Sequence, residues 1–134
     1  MHFRVYDTVE KCWIKDNVYL NLEGELFMIK KPFFGQTEKP ILLGLDRYVY
    51  HNDIDLYDKN GNLIYIGDYI KAQVEEDRSV IGLVAYAQDP SVYTILCEGI
   101  DECFILGSGV CQLIEIIGNV FDGYEGEENG EQTL

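Results

Sequence analysis

The sequence is short of basic residues. Its 134 residues include 10 Lys or Arg against 24 Asp or Glu, which leaves a formal net charge of −14. Nucleic acid is a polyanion whose binding proteins usually present clusters of Lys and Arg, and Lys30-Lys31 is the one basic doublet here. The composition therefore argues against direct binding of DNA or RNA. A charge of this size is typical of a protein kept soluble by self-repulsion.

Long hydrophobic runs are absent as well. No apolar stretch approaches the roughly 18 residues that a transmembrane helix needs. The start of the chain, from Met1 to Asp7, lacks the long apolar core of a signal peptide. We therefore expect a soluble protein of the cytoplasm that has no membrane partner.

Paired metal-binding and catalytic motifs are also missing from the sequence. No two cysteines have the C-x2-C spacing by which two thiolates hold one zinc ion from a turn. The two histidines, His2 and His51, form no motif with each other or with a cysteine, and there is neither a nucleophile elbow nor a phosphate-binding loop. We therefore predict no catalytic, cofactor or metal site, and cysteines that are structural. The four cysteines are Cys12, Cys97, Cys103 and Cys111.

The pattern that is present is that of β-strands. No window longer than about ten residues has a helical period, whereas short runs alternate with period two between turn residues. Ten Tyr and six Phe add residue types that suit half-buried strands. The sequence therefore predicts a mainly β fold, a small multi-stranded domain over residues 1–121 with few or short helices. An acidic, disordered tail is expected over residues 122–134, which are rich in Gly, Glu and Asn.

Seven strands are predicted outside the centre of the chain. A tight hairpin at Glu23-Gly24 joins the second of them to the third, Lys30 to Pro40 forms a loop, and Ile41 to Val49 is open between a helical turn and an extended strand. Short strands at even spacing favour a small barrel or sandwich. The predicted strands run from Phe3 to Tyr6, Val18 to Leu22, Leu26 to Ile29, Val80 to Ala87, Val92 to Cys97, Cys103 to Leu106 and Gln112 to Ile117.

The clearest local signal lies in the segment from Leu56 to Ile70. Asn60-Gly61 predicts a hairpin with a type I′ turn, because Asn and Gly tolerate the positive φ angles that both central residues of that turn need. Gly67-Asp68 predicts a second turn, which leads into Tyr69-Ile70.

The same segment bears a superficial likeness to a calcium loop that begins at Asp58. The sixth position of such a loop should be Gly and is Leu63, and the twelfth should be Glu and is Tyr69. The spacing therefore fails at two positions. We interpret Asp58 as a residue that caps the hairpin turn.

Three parts of the chain carry motifs that together resemble those of a known protein family. Asp58 to Ile70 contains Asp-Lys-Asn-Gly, Ile-Tyr and Gly-Asp-Tyr-Ile, Phe3 to Asp7 reads Phe-Arg-Val-Tyr-Asp, and Glu115 to Phe121 reads Glu-Ile-Ile-Gly-Asn-Val-Phe. In their order along the chain, these three parts resemble the signature of the YopX family of phage and prophage proteins. The chain departs from the family at Ile54-Asp55, which stand where the family has Thr-Gly before the hairpin. The residues that carry the resemblance are Phe3, Arg4, Asp7, Asp58, Asn60, Gly61, Ile64, Tyr65, Gly67, Asp68, Ile117, Gly118 and Asn119.

The resemblance implies a mobile-element protein in the cytoplasm of a bacterial host. It implies a mainly β architecture with an SH3-like barrel over about residues 64–121, suspected self-assembly, and no assigned catalytic function. The leading hypothesis is therefore a non-enzymatic protein-interaction or homo-oligomeric assembly module without a cofactor. Its partner would be a second copy of itself or a host or phage protein.

Two alternatives stay open. One is an acidic decoy that imitates DNA and inhibits a DNA-binding protein, which predicts carboxylates spaced like duplex phosphates along one face. The other is a carboxylate-dependent, metal-binding enzyme, in which two or three of four aspartates hold Mg²⁺ or Mn²⁺. Those aspartates are Asp53, Asp55, Asp58 and Asp68.

Overall fold

The fold is built from β-strands. The computed structural model of the chain describes residues 2–29, 40–88, 91–97, 103–107 and 112–125. All regular secondary structure in these ranges is strand, so the predicted mainly β fold is confirmed. The same ranges contain no helix that is long and apolar enough to cross a membrane. The strands are β1 (Phe3–Asp7), β2 (Cys12–Ile14), β3 (Val18–Leu20), β4 (Leu26–Ile29), β5 (Pro40–Leu43), β6 (Tyr48–Tyr57), β7 (Leu63–Tyr65), β8 (Asp68–Glu75), β9 (Arg78–Gln88), β10 (Ser91–Leu96), β11 (Cys103–Ile105), β12 (Gln112–Asn119) and β13 (Gly123–Tyr124).

The strands group into two compact units. The N-terminal unit spans His2–His51 and the C-terminal unit spans Asn52–Leu134. Each unit has its own cluster of buried apolar side chains, and β6 runs from the first unit into the second. A single domain over residues 1–121 stays a prediction.

The N-terminal unit contains a three-stranded antiparallel sheet with the order β3-β4-β5. Leu20, Leu26 and Leu43 lie opposite one another across its strands. Leu26 and Leu43 are buried with Val5 of β1, which pairs with Ile14 of β2. One face of this sheet therefore supplies the core of the unit.

The C-terminal unit contains a six-stranded antiparallel sheet with the order β11-β10-β9-β8-β12-β13. Successive side chains of a strand point to opposite faces of a sheet. Ile70 and Ala72 of β8 are accordingly buried, while Lys71 between them is exposed. The strands predicted between Val80 and Ile117 are present as β9 to β12. Closure of this sheet into an SH3-like barrel stays a prediction. The buried apolar residues of the unit are Ile54, Ile64, Ile70, Ala72, Val80, Val84, Ile95, Cys97 and Leu106.

The turn at Asn60-Gly61 is not the predicted type I′ turn. Of its two residues only Gly61 has a positive φ, 82°. The Gly61 N–H donates to the Asp58 carbonyl over 3.0 Å, and the Asp58 N–H donates to the Asn62 carbonyl over 2.8 Å. These bonds describe a three-residue loop, a type I turn followed by a left-handed glycine. The prediction was wrong because the Asp58 carboxylate binds the N–H groups of Asn60 and Asn62, and this holds Asn60 at a negative φ.

A second copy of this turn begins at Asn21. Gly24 also has a φ of 82°, and its N–H donates to the Asn21 carbonyl over 3.2 Å. The side-chain oxygen of Asn21 accepts hydrogen bonds from the N–H groups of Glu23 and Glu25. The hairpin predicted at Glu23-Gly24 is therefore present. Strand β3 ends at Leu20 rather than Leu22, because Asn21 already belongs to the turn.

Ile41 to Val49, for which the sequence allowed a helical turn or an extended strand, is extended at both ends. It contains the end of β5 and the start of β6. The N–H groups of Arg47 and Tyr48 both donate to the Gly44 carbonyl, which closes the turn between the two strands. The loop predicted over Lys30 to Pro40 lies outside the described residues, except for Pro40 at the start of β5.

The disordered tail was predicted to begin at residue 122, but the chain is still ordered beyond that residue. Gly123-Tyr124 forms β13, which pairs with Gly118 and Asn119 of β12. The Asn119 side-chain oxygen accepts hydrogen bonds from the N–H groups of Phe121 and Asp122 over 3.0 Å each and turns the chain back. Side-chain capping of this kind is not visible in the composition on which the tail was predicted. Residues 126–134 lie outside the described residues.

Gly118→Ala tests the packing of β13 on β12. An added Cβ would overlap the Gly123 carbonyl oxygen and lie 2.7 Å from the Cβ of Tyr124. We expect the unfolding free energy of the C-terminal unit to fall by about 1–3 kcal/mol, the usual cost of overpacking. Urea denaturation gives this value, and amide hydrogen exchange should show faster opening of β12 and β13.

Gly61→Ala is the control for this substitution. Nothing lies within 4 Å of its added Cβ, so the cost is the strain of a left-handed alanine, on the order of 1 kcal/mol. Exchange in β13 should stay as in the parent protein. Unchanged exchange in both variants would contradict the packing described for Gly118.

Candidate functional site

Asp58 joins the central part of the resemblance to β12. This carboxylate is buried, with an exposed fraction of 6%. Its Oδ1 accepts the N–H groups of Asn60 and Asn62, each over 2.9 Å, and its Oδ2 accepts the N–H of Ile116 in β12 over 3.1 Å. The neighbouring Lys59 N–H donates to the Ile114 carbonyl over 2.8 Å. The hairpin turn is therefore bound to a strand that lies more than fifty residues further along the chain.

The pKa of Asp58 follows from these contacts. Burial raises the pKa, but hydrogen bonds from the N–H groups of Asn62, Ile116 and Asn60 lower it by more, so it lies below the usual 3.8. The carboxylate is thus ionised at neutral pH and binds all three donors. This role confirms the interpretation of Asp58 as a turn-capping residue.

The second turn of the central segment also meets β12. Gly67 has a φ of 90°, its N–H donates to the Val84 carbonyl, and its own carbonyl accepts the N–H of Val120. Asp68 is buried, accepts the N–H of Tyr65 over 2.8 Å and lies opposite Asn119. The central and C-terminal parts of the resemblance are therefore neighbours. Ile64 lies in the core, and Ile117 is half-buried on β12 beside Gly118.

The N-terminal part of the resemblance lies in the other unit. Asp7 at the end of β1 receives two hydrogen bonds from Arg47, 2.9 Å from Nε to Oδ1 and 2.8 Å from Nη2 to Oδ2. The Arg47 guanidinium lowers the pKa of Asp7 to about 2, helped by the N–H groups of Glu10 and Val9 against the opposing effect of burial. Arg4 lies over the ring of Trp13, and Phe3 packs against the core. These residues hold the N-terminal unit together.

His51 is a half-buried histidine of the N-terminal unit. Burial and, to a smaller extent, the positive charge of Arg4 lower its pKa to about 4. The imidazole is therefore neutral in the folded protein at pH 7. Protonation costs stability, because the unfolded chain takes up a proton at a higher pH.

Three of the four aspartates considered as metal ligands accept backbone N–H groups, and the fourth, Asp55, is exposed. Asp53 accepts the N–H of Asp55, and Asp68 and Asp58 accept those described above. Across residues 2–29, 40–88, 91–97, 103–107 and 112–125, no group of three or more His, Cys, Asp and Glu is placed to hold a metal ion. Cys12 and Cys103 are exposed thiols and Cys97 is buried, and none of these three is in a disulfide. Cys111 lies outside the described residues.

The net charge of the chain belongs to one unit. Residues 2–51 contain seven acidic and seven basic residues, so their formal net charge is zero. Residues 52–134 contain seventeen acidic and three basic residues, which leaves the whole −14 there. Long-range repulsion between two copies of the chain therefore comes from the C-terminal unit, and the N-terminal unit contributes none.

The outer face of the N-terminal sheet is apolar. Tyr19, Phe27 and Leu42 lie opposite one another across β3, β4 and β5, on the face away from the buried row of leucines. Tyr19 is 51% exposed and Leu42 59% exposed. The next pair on this face is Ile29 and Pro40. We call these five residues the outer face of the N-terminal sheet, and none of them is charged.

Sequence reasoning did not identify this outer face. A signal was present, because Leu26 to Ile29 and Pro40 to Leu43 are apolar without alternation, and such runs are typical of strands covered on both faces. The pairing of Asp7 with Arg47, forty residues apart, had no local signal.

Comparisons with known proteins were made for the whole chain. No protein-family model matches it, and no curated protein is significantly similar. The crystal structure of protein EF1440 from Enterococcus faecalis is similar at 25% sequence identity, over 98% of this chain and 96% of that chain, with a TM-score of 0.49.

Asp58→Asn tests the bond between the hairpin turn and β12. The amide keeps one acceptor oxygen for the turn and places an N–H₂ donor near the Ile116 N–H, so one buried donor loses its acceptor. We expect the unfolding free energy to fall by about 1–3 kcal/mol at neutral pH. The folded pKa of Asp58 is below its unfolded value, so this contribution is present above pH 3.8 and is lost as the pH falls through the folded pKa.

The equivalent turn at Asn21 provides a matched control. Asn21→Asp makes the reverse exchange in a loop whose bonds are all local and exposed, so we expect a change within about 0.5 kcal/mol. Hydrogen exchange of the Ile116 amide should accelerate in Asp58→Asn alone. An unchanged Ile116 amide would show that the bond to β12 is not a stabilising one.

The burial of neutral His51 predicts acid sensitivity of the N-terminal unit. Its folded pKa of about 4 lies below the ordinary 6.5. The contribution to stability is therefore complete above pH 6.5 and falls between pH 6.5 and 4, by about 1–2 kcal/mol once solvent screening is allowed for. Fluorescence of Trp13, the one Trp of the chain, follows unfolding of this unit. His51→Gln should flatten the pH dependence in this window, and a profile as steep as that of the parent protein would contradict the assignment.

Proposed function

We propose that this chain is a non-enzymatic protein-interaction module, of the kind found in phage and prophage proteins, which assembles with copies of itself through the outer face of the N-terminal sheet. The observation that carries the proposal is the uncharged row of Tyr19, Phe27 and Leu42, in which Tyr19 and Leu42 are exposed and Phe27 is half-buried. Exposed apolar patches of this kind are typical of protein–protein contacts. The resemblance of the sequence to the YopX family supports the same function.

The composition of the face suits a contact between proteins. Aromatic residues are enriched at the centres of interfaces, where they bury a large area with few rotatable bonds. Tyr19 and Phe27 are neighbours in one row, and Leu42 completes the row on the adjacent strand. A second copy would bring the same three side chains, as an isologous contact requires.

The distribution of charge favours a second copy at this face. The N-terminal unit has a formal net charge of zero, so two such units meet without long-range repulsion. The −14 of the C-terminal unit opposes association at low ionic strength. Assembly through the apolar face should therefore strengthen as added salt screens this repulsion. An assembly held by ion pairs would weaken under the same conditions.

Leu42→Glu tests the proposal. The residue is 59% exposed, so the variant should fold, but the introduced carboxylates would face each other in the assembly. We expect the dissociation constant of the oligomer to rise at least about tenfold, which corresponds to about 1.4 kcal/mol. Size-exclusion chromatography with light scattering over a concentration series measures it. The parent oligomer should become tighter between about 0.05 and 0.5 M salt.

Leu45→Glu is the matched control. Leu45 has the same side chain and is 54% exposed in the same unit, but it lies in the turn after β5 rather than on the sheet. Its oligomer should dissociate as that of the parent protein does. A parent chain that is monomeric at all concentrations and salt levels, or an equal effect of both substitutions, would overturn the proposal.

A further inference from the structure

A second apolar surface crosses the six-stranded sheet of the C-terminal unit. The pairings Leu96↔Cys103, Leu83↔Leu96, Tyr69↔Leu83, Gly118↔Tyr69 and Gly118↔Tyr124 form one continuous row over all six strands. Directly opposed residues point to the same face, and Asp68 and Ile70, which flank Tyr69, are buried on the other one. We call this row the outer belt. Its members are Cys103, Leu96, Leu83, Tyr69, Gly118 and Tyr124.

The outer belt is uncharged, and it is most exposed at the end formed by Leu96 and Cys103. Leu96 is 44% exposed, Cys103 is exposed, and Leu83 is half-buried. Ile105 and Ile81, in the rows on either side, are exposed by a similar amount. Strands lie about 4.8 Å apart, so a row over six strands is roughly 24 Å long. This length suits an extended segment of protein better than a small molecule.

One end of the outer belt is preformed. The rings of Tyr69 and Tyr124 lie 4.8 Å apart, with Gly118 between their strands. A side chain at position 118 would collide with Gly123 and Tyr124, so only glycine lets the two rings meet. Aromatic side chains held in this way bind partners with little loss of conformational entropy.

The net charge of the C-terminal unit decides which kind of partner the unit attracts. The unit has seventeen acidic residues and three basic ones. Lys59 lies 3.7 Å from Glu115, and Arg78 lies 3.8 Å from Glu75. The third basic residue, Lys71, is in the row beside the outer belt, opposite Ile81 and Glu115. A second copy of the unit or a nucleic acid would bring further negative charge, whereas a cationic protein brings the opposite charge.

We propose that the outer belt is a docking surface for a positively charged protein segment that carries apolar side chains between its Lys and Arg residues. The apolar side chains cover the belt, and the cationic ones are attracted by the net negative charge of the C-terminal unit. This goes beyond self-assembly, because the partner differs and the surface lies in the other unit. It also differs from an acidic decoy, in which charge alone would bind the partner.

The probe for this proposal is a labelled decapeptide of alternating Leu and Lys, with an alternating Ser and Lys decapeptide of equal charge for comparison. Fluorescence anisotropy with the full chain measures both affinities. We expect the Leu-Lys peptide to bind at least about tenfold more tightly than the Ser-Lys peptide. Binding of both should weaken as salt rises, opposite to the expected salt dependence of self-assembly.

Leu96→Ser should weaken binding of the Leu-Lys peptide at least about fivefold and leave binding of the Ser-Lys peptide unchanged. Leu113→Ser is the matched control, since Leu113 is 66% exposed on β12 but outside the outer belt. Ile105→Ser, in the adjoining row, is the second variant should Leu96→Ser fold poorly by circular dichroism. The mass of the oligomer should be the same in all of them, so failure of this inference leaves the proposed self-assembly intact.

Three outcomes would overturn the inference. Equal affinity for the two peptides would mean that charge alone binds them. An equal loss in Leu96→Ser and Leu113→Ser would mean that the contact is not at the outer belt. A smaller oligomer in Leu96→Ser would mean that a second copy, rather than a cationic partner, occupies this surface.

Discussion

The hydrogen bonds accepted by the Asp58 carboxylate are the interaction on which the C-terminal unit depends most directly. One oxygen closes the hairpin turn and the other binds β12. A hydrogen bond from the Lys59 N–H to the Ile114 carbonyl and the contact of Lys59 with Glu115 join the same two segments. A buried carboxylate is costly unless its lone pairs are satisfied, and here three N–H groups satisfy them. The depressed pKa of Asp58 expresses the same balance, since the bonds outweigh the cost of burial.

The separation of charge between the units limits what each unit can contact. The N-terminal unit has no net charge, so its apolar outer face can meet an identical face. The C-terminal unit carries −14, and contact between two such units has to overcome their repulsion. The same repulsion becomes an attraction when the partner is cationic. One chain therefore holds two apolar surfaces whose association should respond to salt in opposite directions.

Most of the strands could be predicted from the sequence, because short apolar runs alternate with turn residues. Their faces could not be predicted in the same way: Val80 to Val84 has no polar residue, yet Val80 and Val84 are buried while Ile81 is exposed. The strands β2 and β13, of three and two residues, are too short to show a period. They depend on distant or side-chain contacts, as β13 does on the Asn119 turn.

The candidate surfaces were harder to predict than the strands that form them. An outer apolar row becomes visible only when the register places residues of different strands side by side. Leu96 and Tyr69 are 27 positions apart in sequence and reach the same row through Leu83. The pattern of each strand alone predicts an exposed side chain at these positions, and not a continuous surface. Composition had a similar limit, because the total charge of −14 concealed a neutral half and a strongly acidic one.

The two hairpin turns show how one side chain can decide between a local and a long-range contact. Both turns have the same backbone bonds, the same left-handed glycine three residues after the first position, and the same two N–H groups bound to one side-chain oxygen. Asn21 has a single acceptor oxygen, which its own turn occupies. Asp58 has a second acceptor oxygen, and that oxygen reaches Ile116. The turn itself needs only an Asn or an Asp, whereas the bond to β12 needs a second acceptor, which Asp has and Asn lacks.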